Sequence, residues 1–313
     1  MTFRQLGDSG LTVSTAGLGC NTFGATLAPD DVPALVGAAL DAGVTFFDTA
    51  DSYGGTPGQS EELLGAALRG HRDEVVVATK FGMDVRGLNG PDWGVRGSRR
   101  YVRRAVEGSL RRLGTDHLDL YQLHRPDPAT PVGETLAALH ELVVEGKVRY
   151  VGSSNFAAWQ VVDAHWTATA AGTTPFVSAQ NAYNLLDRSA EAELVPAVEH
   201  CGVGILPYVP LASGLLTGKY RRGEAAPEGS RLTRMPQRLE AADFDRIEAL
   251  AGLAADWGID LPTLALGWLA AQPSVGSVIA GARTPEQLRA NVASILWEPT
   301  TEQLAAVDAV APD

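Results

Sequence analysis

Hydrophobic residues along the chain follow two patterns that take turns. Short runs rich in apolar residues, such as residues 45–48 and 118–123, have the length and composition of strands buried on both faces of a parallel sheet. Between such runs, apolar residues recur every three or four positions, as Val32, Leu35 and Val36 do. This spacing is typical of an amphipathic helix. The chain therefore predicts an alternation of β-strands and α-helices.

Eight apolar runs are predicted to be strands, with helical segments between them. They cover residues 16–19, 45–48, 75–80, 118–123, 148–152, 176–180, 203–207 and 277–280. Eight βα units joined by right-handed crossovers predict a fold of the α/β class, the closed (β/α)8 or TIM barrel. A doubly wound open sheet is the alternative, but it would favour a Gly-x-Gly-x-x-Gly turn after its first strand. Residues 17–22 read Gly-Leu-Gly-Cys-Asn-Thr and lack the third glycine.

The segment before the first predicted barrel strand has a different character. Residues 3–6 and 11–13 flank the turn-forming sequence Gly-Asp-Ser-Gly, which predicts a β-hairpin. We expect this hairpin to cap the barrel. No linker or low-complexity stretch interrupts the chain, so residues 1–313 are predicted to form a single domain.

Three helix starts carry sequence signals. Ser60 is predicted to be an N-cap, and Pro131 is predicted to occupy the first position of its helix. Thr284 and Gln287 have the spacing of a capping box, and the helix that they open is expected to run to about Ala293, as the last helix of the chain.

Composition narrows the class of protein. The chain of 313 residues has 45% hydrophobic residues and a net charge of −12, which argues against a nucleic-acid or acidic-membrane surface. It begins without a signal-peptide apolar region and has no apolar run near the roughly 20 residues of a membrane helix, so a cytoplasmic protein is expected. Two cysteines and six scattered histidines without metal-ligand spacing predict neither disulfides nor a metal site. No pattern specifies an oligomeric state.

Polar residues follow almost every predicted strand. In a parallel barrel the carboxyl ends of all strands meet at one face, which is where such barrels carry their chemistry. Taken singly, a strand-end aspartate can be an N-cap, a lysine a solvated rim residue, and a histidine or tyrosine a packed loop residue. The set is more informative than any member. It comprises Asn21, Asp48, Lys80, His124, Ser154, Asn155, Gln180, Tyr208 and Gly281.

These motifs resemble the aldo-keto reductase family, and the resemblance runs from the hairpin to the last predicted helix. The combination of Asp48, Tyr53, Lys80 and His124 in this strand order is highly specific. The supporting motifs are residues 151–156 (Val-Gly-Ser-Ser-Asn-Phe), Gln180, residues 210–219 (Pro-Leu-Ala-Ser-Gly-Leu-Leu-Thr-Gly-Lys) and residues 279–291. The resemblance implies NAD(P)H-dependent reduction of an aldehyde or ketone on a (β/α)8 barrel, without a metal.

The resemblance also implies catalytic roles. Hydride delivery to a carbonyl carbon builds negative charge on its oxygen, so Tyr53 would donate a proton there. The ammonium of Lys80 would lower the phenol pKa of Tyr53, and Asp48 would keep Lys80 charged and oriented. His124 would aim the carbonyl oxygen through a ring N–H.

The cofactor is expected to be NADPH, with NADH possible. By resemblance, Ser154, Asn155 and Gln180 would hold the nicotinamide carboxamide, and Tyr208 would stack on the nicotinamide ring. The remaining positions implied to contact the cofactor are Leu211, Ser213, Lys219 and Arg231 along the pyrophosphate, Gly281, Arg283, Gln287 and Asn291 at the adenosine end, and Cys20 and Asn21 after the first strand.

Two positions depart from the family pattern. Many members carry a lysine that helps to bind the 2′-phosphate of NADPH where this chain has Gly281, so Arg283 is the nearby cation that remains. Cys20 stands where threonine is common and is interpreted as a small space-filling residue. The loops expected to shape the substrate pocket are residues 23–28, residues 82–97 and the segment around Arg125, with Phe23 and Trp93 as candidate walls.

Two other functions remain open. One is a cofactor-binding regulatory subunit of low activity, like the potassium-channel β subunits that resemble this family, although that branch does not keep a histidine at the position of His124. The other is a barrel lyase in which Lys80 forms a Schiff base. In a lyase, the motifs assigned to the cofactor would have no role.

Overall fold

The computed structural model describes residues 1–311 and consists of ten strands and eleven α-helices within that range. The strands are β1 (Phe3–Gln5), β2 (Thr12–Ser14), β3 (Ala16–Gly19), β4 (Phe46–Asp48), β5 (Val76–Phe81), β6 (Leu118–Leu123), β7 (Val148–Ser154), β8 (Ser178–Gln180), β9 (Gly204–Ile205) and β10 (Val278–Gly281). The helices are α1 (Val32–Asp41), α2 (Gln59–Ala67), α3 (Arg99–Leu113), α4 (Val132–Val144), α5 (Ala158–Ala171), α6 (Leu194–Cys201), α7 (Pro236–Glu240), α8 (Phe244–Asp256), α9 (Leu261–Ala271), α10 (Pro285–Ile295) and α11 (Thr301–Val310).

Eight parallel strands form one curled sheet in the order β10-β3-β4-β5-β6-β7-β8-β9. The two end strands meet just before β10. The Ile205 N–H donates to the Ser274 carbonyl at 2.7 Å, and the Gly276 N–H donates to the Ile205 carbonyl at 3.0 Å. These bonds join β9 to the chain leading into β10, which gives the sheet the ring form of a (β/α)8 barrel. The predicted fold is confirmed.

The strands separate two apolar cores because successive side chains point to opposite faces. In β6, Leu120 points into the barrel, whereas Tyr121 and Leu123 pack in the layer between the sheet and the helices. Gln122 shares the inward face with Leu120. Inward and outward polar residues at one strand end can therefore belong to different environments.

The predicted hairpin is present and lies at one end of the barrel. Its strands β1 and β2 pair antiparallel, and Leu6, Leu11 and Val13 complete the inner core. Gly7 has a φ of +58°, and a Cβ there would clash with the Gly202 carbonyl oxygen. A glycine is thus required where the hairpin approaches the chain before β9.

Several local predictions are wrong. Helix α2 begins at Gln59 after Gly58, so Ser60 is not its N-cap; its hydroxyl instead donates to the Cys20 carbonyl at 2.8 Å. Pro131 is the N-cap of α4 rather than its first residue. Thr284 caps α10 as predicted, but the Gln287 side chain accepts from the Arg283 N–H, one residue earlier than a capping box requires.

The chain also has two helices that the hydrophobic pattern did not predict. Helix α7 is only five residues long, too short to show periodicity. Helix α11 follows a complete capping box of Thr300 and Gln303, a signal that the sequence itself contains. Within residues 1–311, none of the helices has both the length and the apolar character needed to cross a membrane.

Candidate active site

Lys80 lies at the centre of a buried polar group inside the barrel mouth. Its Nζ is 2.6 Å from Asp48 Oδ2, 2.9 Å from the Thr49 carbonyl oxygen and 3.4 Å from Tyr53 Oη. The Lys80 side chain is fully buried, and Asp48 is 3% exposed. An ammonium has three donors, and here each has an acceptor. Two residues predicted from the strand ends, Asp48 and Lys80, therefore form one connected unit with Tyr53.

The second oxygen of Asp48 is held from across the barrel. Gln180 Nε2 donates to Asp48 Oδ1 at 2.9 Å, and Gln122 Nε2 approaches the same oxygen at 3.4 Å. Asp48, Gln122 and Gln180 end or nearly end strands β4, β6 and β8, and their side chains point inward, so alternate strands converge on one carboxylate. Asp48 is consequently fixed by contacts with three other strands of the barrel.

Tyr53 reaches Lys80 from a tight turn after β4. The Tyr53 N–H donates to the Ala50 carbonyl at 3.1 Å, and the Ser60 N–H donates to the Tyr53 carbonyl at 3.2 Å. Gly54, with a φ of +121°, follows at once, and a Cβ there would lie 2.7 Å from the Thr56 carbonyl oxygen. The Asp-x-x-x-x-Tyr spacing thus has a structural cause, because the turn brings the tyrosine back over the end of β4.

The electrostatics of this unit keep Tyr53 protonated and Lys80 charged. Burial raises the pKa of Tyr53, and although Lys80 lowers it, the pKa remains above its usual value. The net direction is opposite to that expected from the sequence, while Lys80 contributes with the expected sign. Burial alone would lower the pKa of Lys80, but Asp48 and Tyr53 outweigh burial and raise it. The site therefore pairs a neutral phenol with an ammonium.

His124 follows β6 and faces Tyr53. The two rings meet edge to face, with centroids 5.7 Å apart. Burial, together with the charges of Lys80 and Arg125, lowers the pKa of His124 to about 3. Its buried Nδ1 has no hydrogen-bond partner among the described residues. A neutral imidazole therefore lies beside the phenol, which is the state that can donate one ring N–H without adding charge.

A chain of hydrogen bonds continues from this unit along the ends of β7 and β8. Tyr208 Oη donates to Asn155 Oδ1 at 2.7 Å, and Asn155 Nδ2 contacts Ser154 Oγ at 3.0 Å. Ser154 Oγ in turn donates to the Gln180 carbonyl at 2.9 Å. Asn155 adopts a φ of +58°, a conformation in which asparagine is among the more tolerant residues. The four residues predicted at this position are brought together.

The next predicted group lies on a short turn after Tyr208. Ser213 is buried with a φ of +61°, and its hydroxyl accepts from Arg238 Nη1 at 2.7 Å. The Lys219 ammonium lies near the same turn, because a Cβ added to Gly214, the residue after Ser213, would be 3.4 Å from Lys219 Nζ. Arg231 has an exposed side chain. Arg238 of α7, which the sequence did not single out, is the arginine that contacts Ser213.

The last predicted group surrounds the start of α10. Asn291 Nδ2 donates to the Gly281 carbonyl at 3.2 Å, and the Gln287 side chain accepts from the Arg283 N–H at 2.9 Å. A Cβ at Gly281 would meet nothing closer than Asn21 Oδ1 at 3.7 Å. This end of the site is open, and Arg283 is exposed there.

Other predicted positions differ in environment. Cys20 is fully buried, and burial raises its thiol pKa well above the usual value, which agrees with a space-filling residue and not with a reactive thiolate. Leu211 is partly buried at the start of the Ser213 turn. Gln122 was missed, although a polar residue that shares the inward face of its strand with Leu120 is a signal that could have identified it.

Comparison with known proteins gives a consistent assignment. The model of the Aldo/keto reductase family matches residues 15–312. The chain is 37% identical to an oxidoreductase of Bacillus subtilis strain 168, covering 94% of this chain and 91% of that protein. It is 36% identical to the L-glyceraldehyde 3-phosphate reductase of Escherichia coli O157:H7, covering 98% and 92%. A probable voltage-gated potassium channel subunit beta of Oryza sativa subsp. japonica is also 36% identical, covering 99% and 96%. The chain therefore belongs to the aldo/keto reductase family of carbonyl-reducing oxidoreductases.

Proposed function

We propose that this protein reduces an aldehyde or ketone to an alcohol with NADPH, with Tyr53 as the general acid. The observation that carries the proposal is the position of one buried ammonium, Lys80 Nζ, between Asp48 Oδ2 at 2.6 Å and Tyr53 Oη at 3.4 Å. A lysine needed only for stability would not have to contact a phenol at the open end of the barrel. This arrangement supports proton donation to a carbonyl oxygen.

The side chains around the barrel mouth fit a dinucleotide in three successive parts. Amide and hydroxyl groups of Ser154, Asn155 and Tyr208 lie beside the catalytic group and suit a carboxamide-bearing ring. Next comes Ser213 with two cations, Lys219 and Arg238, which suits a pyrophosphate. The start of α10 follows; backbone N–H groups at a helix N-terminus favour phosphate.

The reaction follows from the charges of these residues. When bound, the reduced nicotinamide supplies hydride to the carbonyl carbon. Tyr53 donates its proton to the carbonyl oxygen as negative charge develops there, and the adjacent Lys80 ammonium stabilises the phenolate that remains. Asp48 keeps Lys80 charged. Neutral His124 orients the oxygen through a ring N–H and does not compete as a strong acid.

A preference for NADPH over NADH depends mainly on Arg283. It is exposed one residue before the N-cap of α10, where a 2′-phosphate would meet both its guanidinium and the helix N-terminus. The open space at Gly281 leaves room for that phosphate. We also expect a small-molecule substrate and a cytoplasmic location.

The lyase alternative is disfavoured by the state of Lys80. A Schiff base forms from a neutral amine, whereas Asp48 and Tyr53 raise the pKa of Lys80 against the effect of burial. Borohydride added with a carbonyl substrate should therefore leave the intact mass of the protein unchanged. An adduct on Lys80 would favour the lyase.

The proposed function is tested by mixing the protein with NADPH and a panel of aldehydes, ketones and sugar-derived carbonyls. The panel includes glyceraldehyde 3-phosphate, because one relative is named for reducing it. Loss of reduced-nicotinamide absorbance together with alcohol formation is the expected result. Tight NADPH binding without turnover of any carbonyl would instead favour a regulatory subunit.

A further inference from the structure

A second buried polar group lies near the ends of β4 and β5, on the side of the sheet that faces helices α2 and α3. It consists of Asp51, Glu61, Thr79, Asn89 and Arg112, which we call the outer cluster. Asp51, Glu61 and Thr79 are fully buried, and Asn89 is 8% exposed. The chemistry proposed above uses none of these side chains.

The outer cluster is a connected network. Arg112 Nε contacts Glu61 Oε2 at 2.6 Å, and Thr79 Oγ1 donates to Glu61 Oε1 at 2.6 Å. Arg112 Nη1 also donates to Asn89 Oδ1 at 3.3 Å. Asn89 Nδ2 donates to Asp51 Oδ2 at 2.9 Å. Asn89 is therefore the direct link between the network and Asp51.

The carboxyl group of Asp51 lacks an ion-pair partner of its own in this network. Burial raises its pKa well above the usual value, and Glu61 raises it further, while Arg112, Asn89 and Lys80 lower it. Its Oδ1 is buried without a hydrogen-bond partner among residues 1–311. The Arg112 guanidinium is already paired with Glu61, so Asp51 is joined to the network through Asn89 and not through an ion pair.

Two segments of the proposed site meet at Asp51. Its backbone N–H donates to the Lys80 carbonyl at 3.0 Å, and it lies two residues before Tyr53 in the turn that carries the phenol. Asn89 belongs to the loop of residues 82–98, which leaves β5 directly after Lys80 and Phe81 at the open end of the barrel. One side-chain hydrogen bond thus ties this loop to the turn.

We propose that the Asp51–Asn89 hydrogen bond is a positioning contact for carbonyl reduction: it fixes the loop of residues 82–98 against the Tyr53 turn and so sets where the phenol oxygen lies. This inference rests on the proposed function. Asp51 and Asn89 are positioning residues that act through Tyr53 and the loop and do not touch substrate.

The test compares Asp51→Ala, Asp51→Asn and Asn89→Ala at saturating NADPH. Because a small displacement of a catalytic group is costly, Asp51→Ala and Asn89→Ala should each lower kcat by roughly 10- to 100-fold and raise KM for the carbonyl, with the Kd for NADPH unchanged. Asp51→Asn keeps the shape of the side chain and an oxygen that accepts from Asn89, so its kcat should stay close to that of the unmodified protein. The double variant Asp51→Ala with Asn89→Ala should be no slower than the slower single variant, because both single changes remove the same Asp51–Asn89 bond.

The matched control is Thr79→Val, which removes a different hydrogen bond of the outer cluster. Its Tm should fall, whereas kcat and KM should stay as in the unmodified protein. Equal kcat and KM in Asp51→Ala and the unmodified protein, with only a lower Tm, would overturn the proposal. Equal losses of kcat in Asp51→Ala and Asp51→Asn would also overturn the proposal, because kcat would then depend on the charge of the carboxylate and not on its hydrogen bond to Asn89.

Hydrogen–deuterium exchange separates this proposal from the proposed function. Amide hydrogens of residues 82–98 should exchange faster in Asp51→Ala and Asn89→Ala than in Thr79→Val, whether or not a carbonyl is reduced. An unmodified protein that reduces no carbonyl refutes the function, whereas unchanged exchange in both variants refutes the contact between loop and turn. If Asp51→Ala does not fold, Asn89→Ala removes the same bond from the loop side.

Discussion

Tyr53→Phe removes one oxygen atom from the proposed site and little else. Tyr53 Oη is the most distant of the three acceptors around Lys80 Nζ, at 3.4 Å, while Asp48 and Thr49 accept at 2.6 and 2.9 Å. Lys80 therefore keeps its buried ion pair and one carbonyl contact in the variant. We expect the variant to fold and its free energy of unfolding to fall by about 1–2 kcal/mol, because one donor of the buried ammonium loses a long contact.

The expected effect on the reaction is much larger than the effect on stability. Loss of a positioned general acid costs roughly 10²–10⁴-fold in rate, which corresponds to about 3–5 kcal/mol of transition-state stabilisation. Burial keeps the pKa of Tyr53 above its usual value, so the phenol is protonated at neutral pH and the full loss should appear there. The affinity for NADPH should stay close to that of the unmodified protein.

The assay is a single turnover with NADPH already bound, since cofactor release can limit steady-state rates. Binding of NADPH is measured separately by quenching of tryptophan fluorescence. The control is Tyr150→Phe, which also removes one phenol oxygen. Tyr150 lies in β7, and its oxygen faces the hairpin, 3.2 Å from where a Cβ on Gly10 would lie. Tyr150→Phe should reduce the carbonyl at the unmodified rate.

A near-normal single-turnover rate in Tyr53→Phe would refute the role given to Tyr53. The proton would then come from His124 or from water. His124 has a pKa lowered to about 3, so it is neutral and a weak donor near neutral pH. Retention of the rate would therefore also contradict the electrostatic account of the site.

Three further predictions concern Lys80 and Arg283. Lys80→Met leaves Asp48 buried without its partner and should lower the free energy of unfolding, measured by urea denaturation, by about 3–5 kcal/mol. Adding Asp48→Asn should recover part of that loss. If stability does not recover, the broken ion pair is not the cause of the loss. Lys80→Met also removes the charge that lowers the Tyr53 pKa, so the alkaline limb of the reduction pH profile should move to higher pH. Arg283→Ala should weaken NADPH binding selectively and narrow the difference from NADH in fluorescence titrations; equal affinities for both cofactors in the unmodified protein would contradict the assignment.

The sequence alone determined the barrel and most of the strand-end residues. Periodicity distinguishes strands from helices, and the order of elements leaves few topologies. Because all parallel strands end at one face, Asp48, Lys80 and His124 could be assigned to a common site without coordinates. The Asp-x-x-x-x-Tyr pattern added Tyr53 through the family resemblance. These predictions depend only on local pattern and on the rules that govern parallel sheets.

The tertiary structure decided how those polar groups combine. Gln180 holds Asp48 across 132 positions of sequence, and Arg238 contacts Ser213 from a helix too short to predict. The pKa of Tyr53 is a sum of burial and charge from several strands, so its net direction could not be read from the presence of Lys80. Asp51 lies three residues after Asp48 yet belongs to the outer cluster, because side chains after β4 diverge to opposite sides of the sheet. Such outcomes depend on distances between segments remote in sequence, which no local pattern contains.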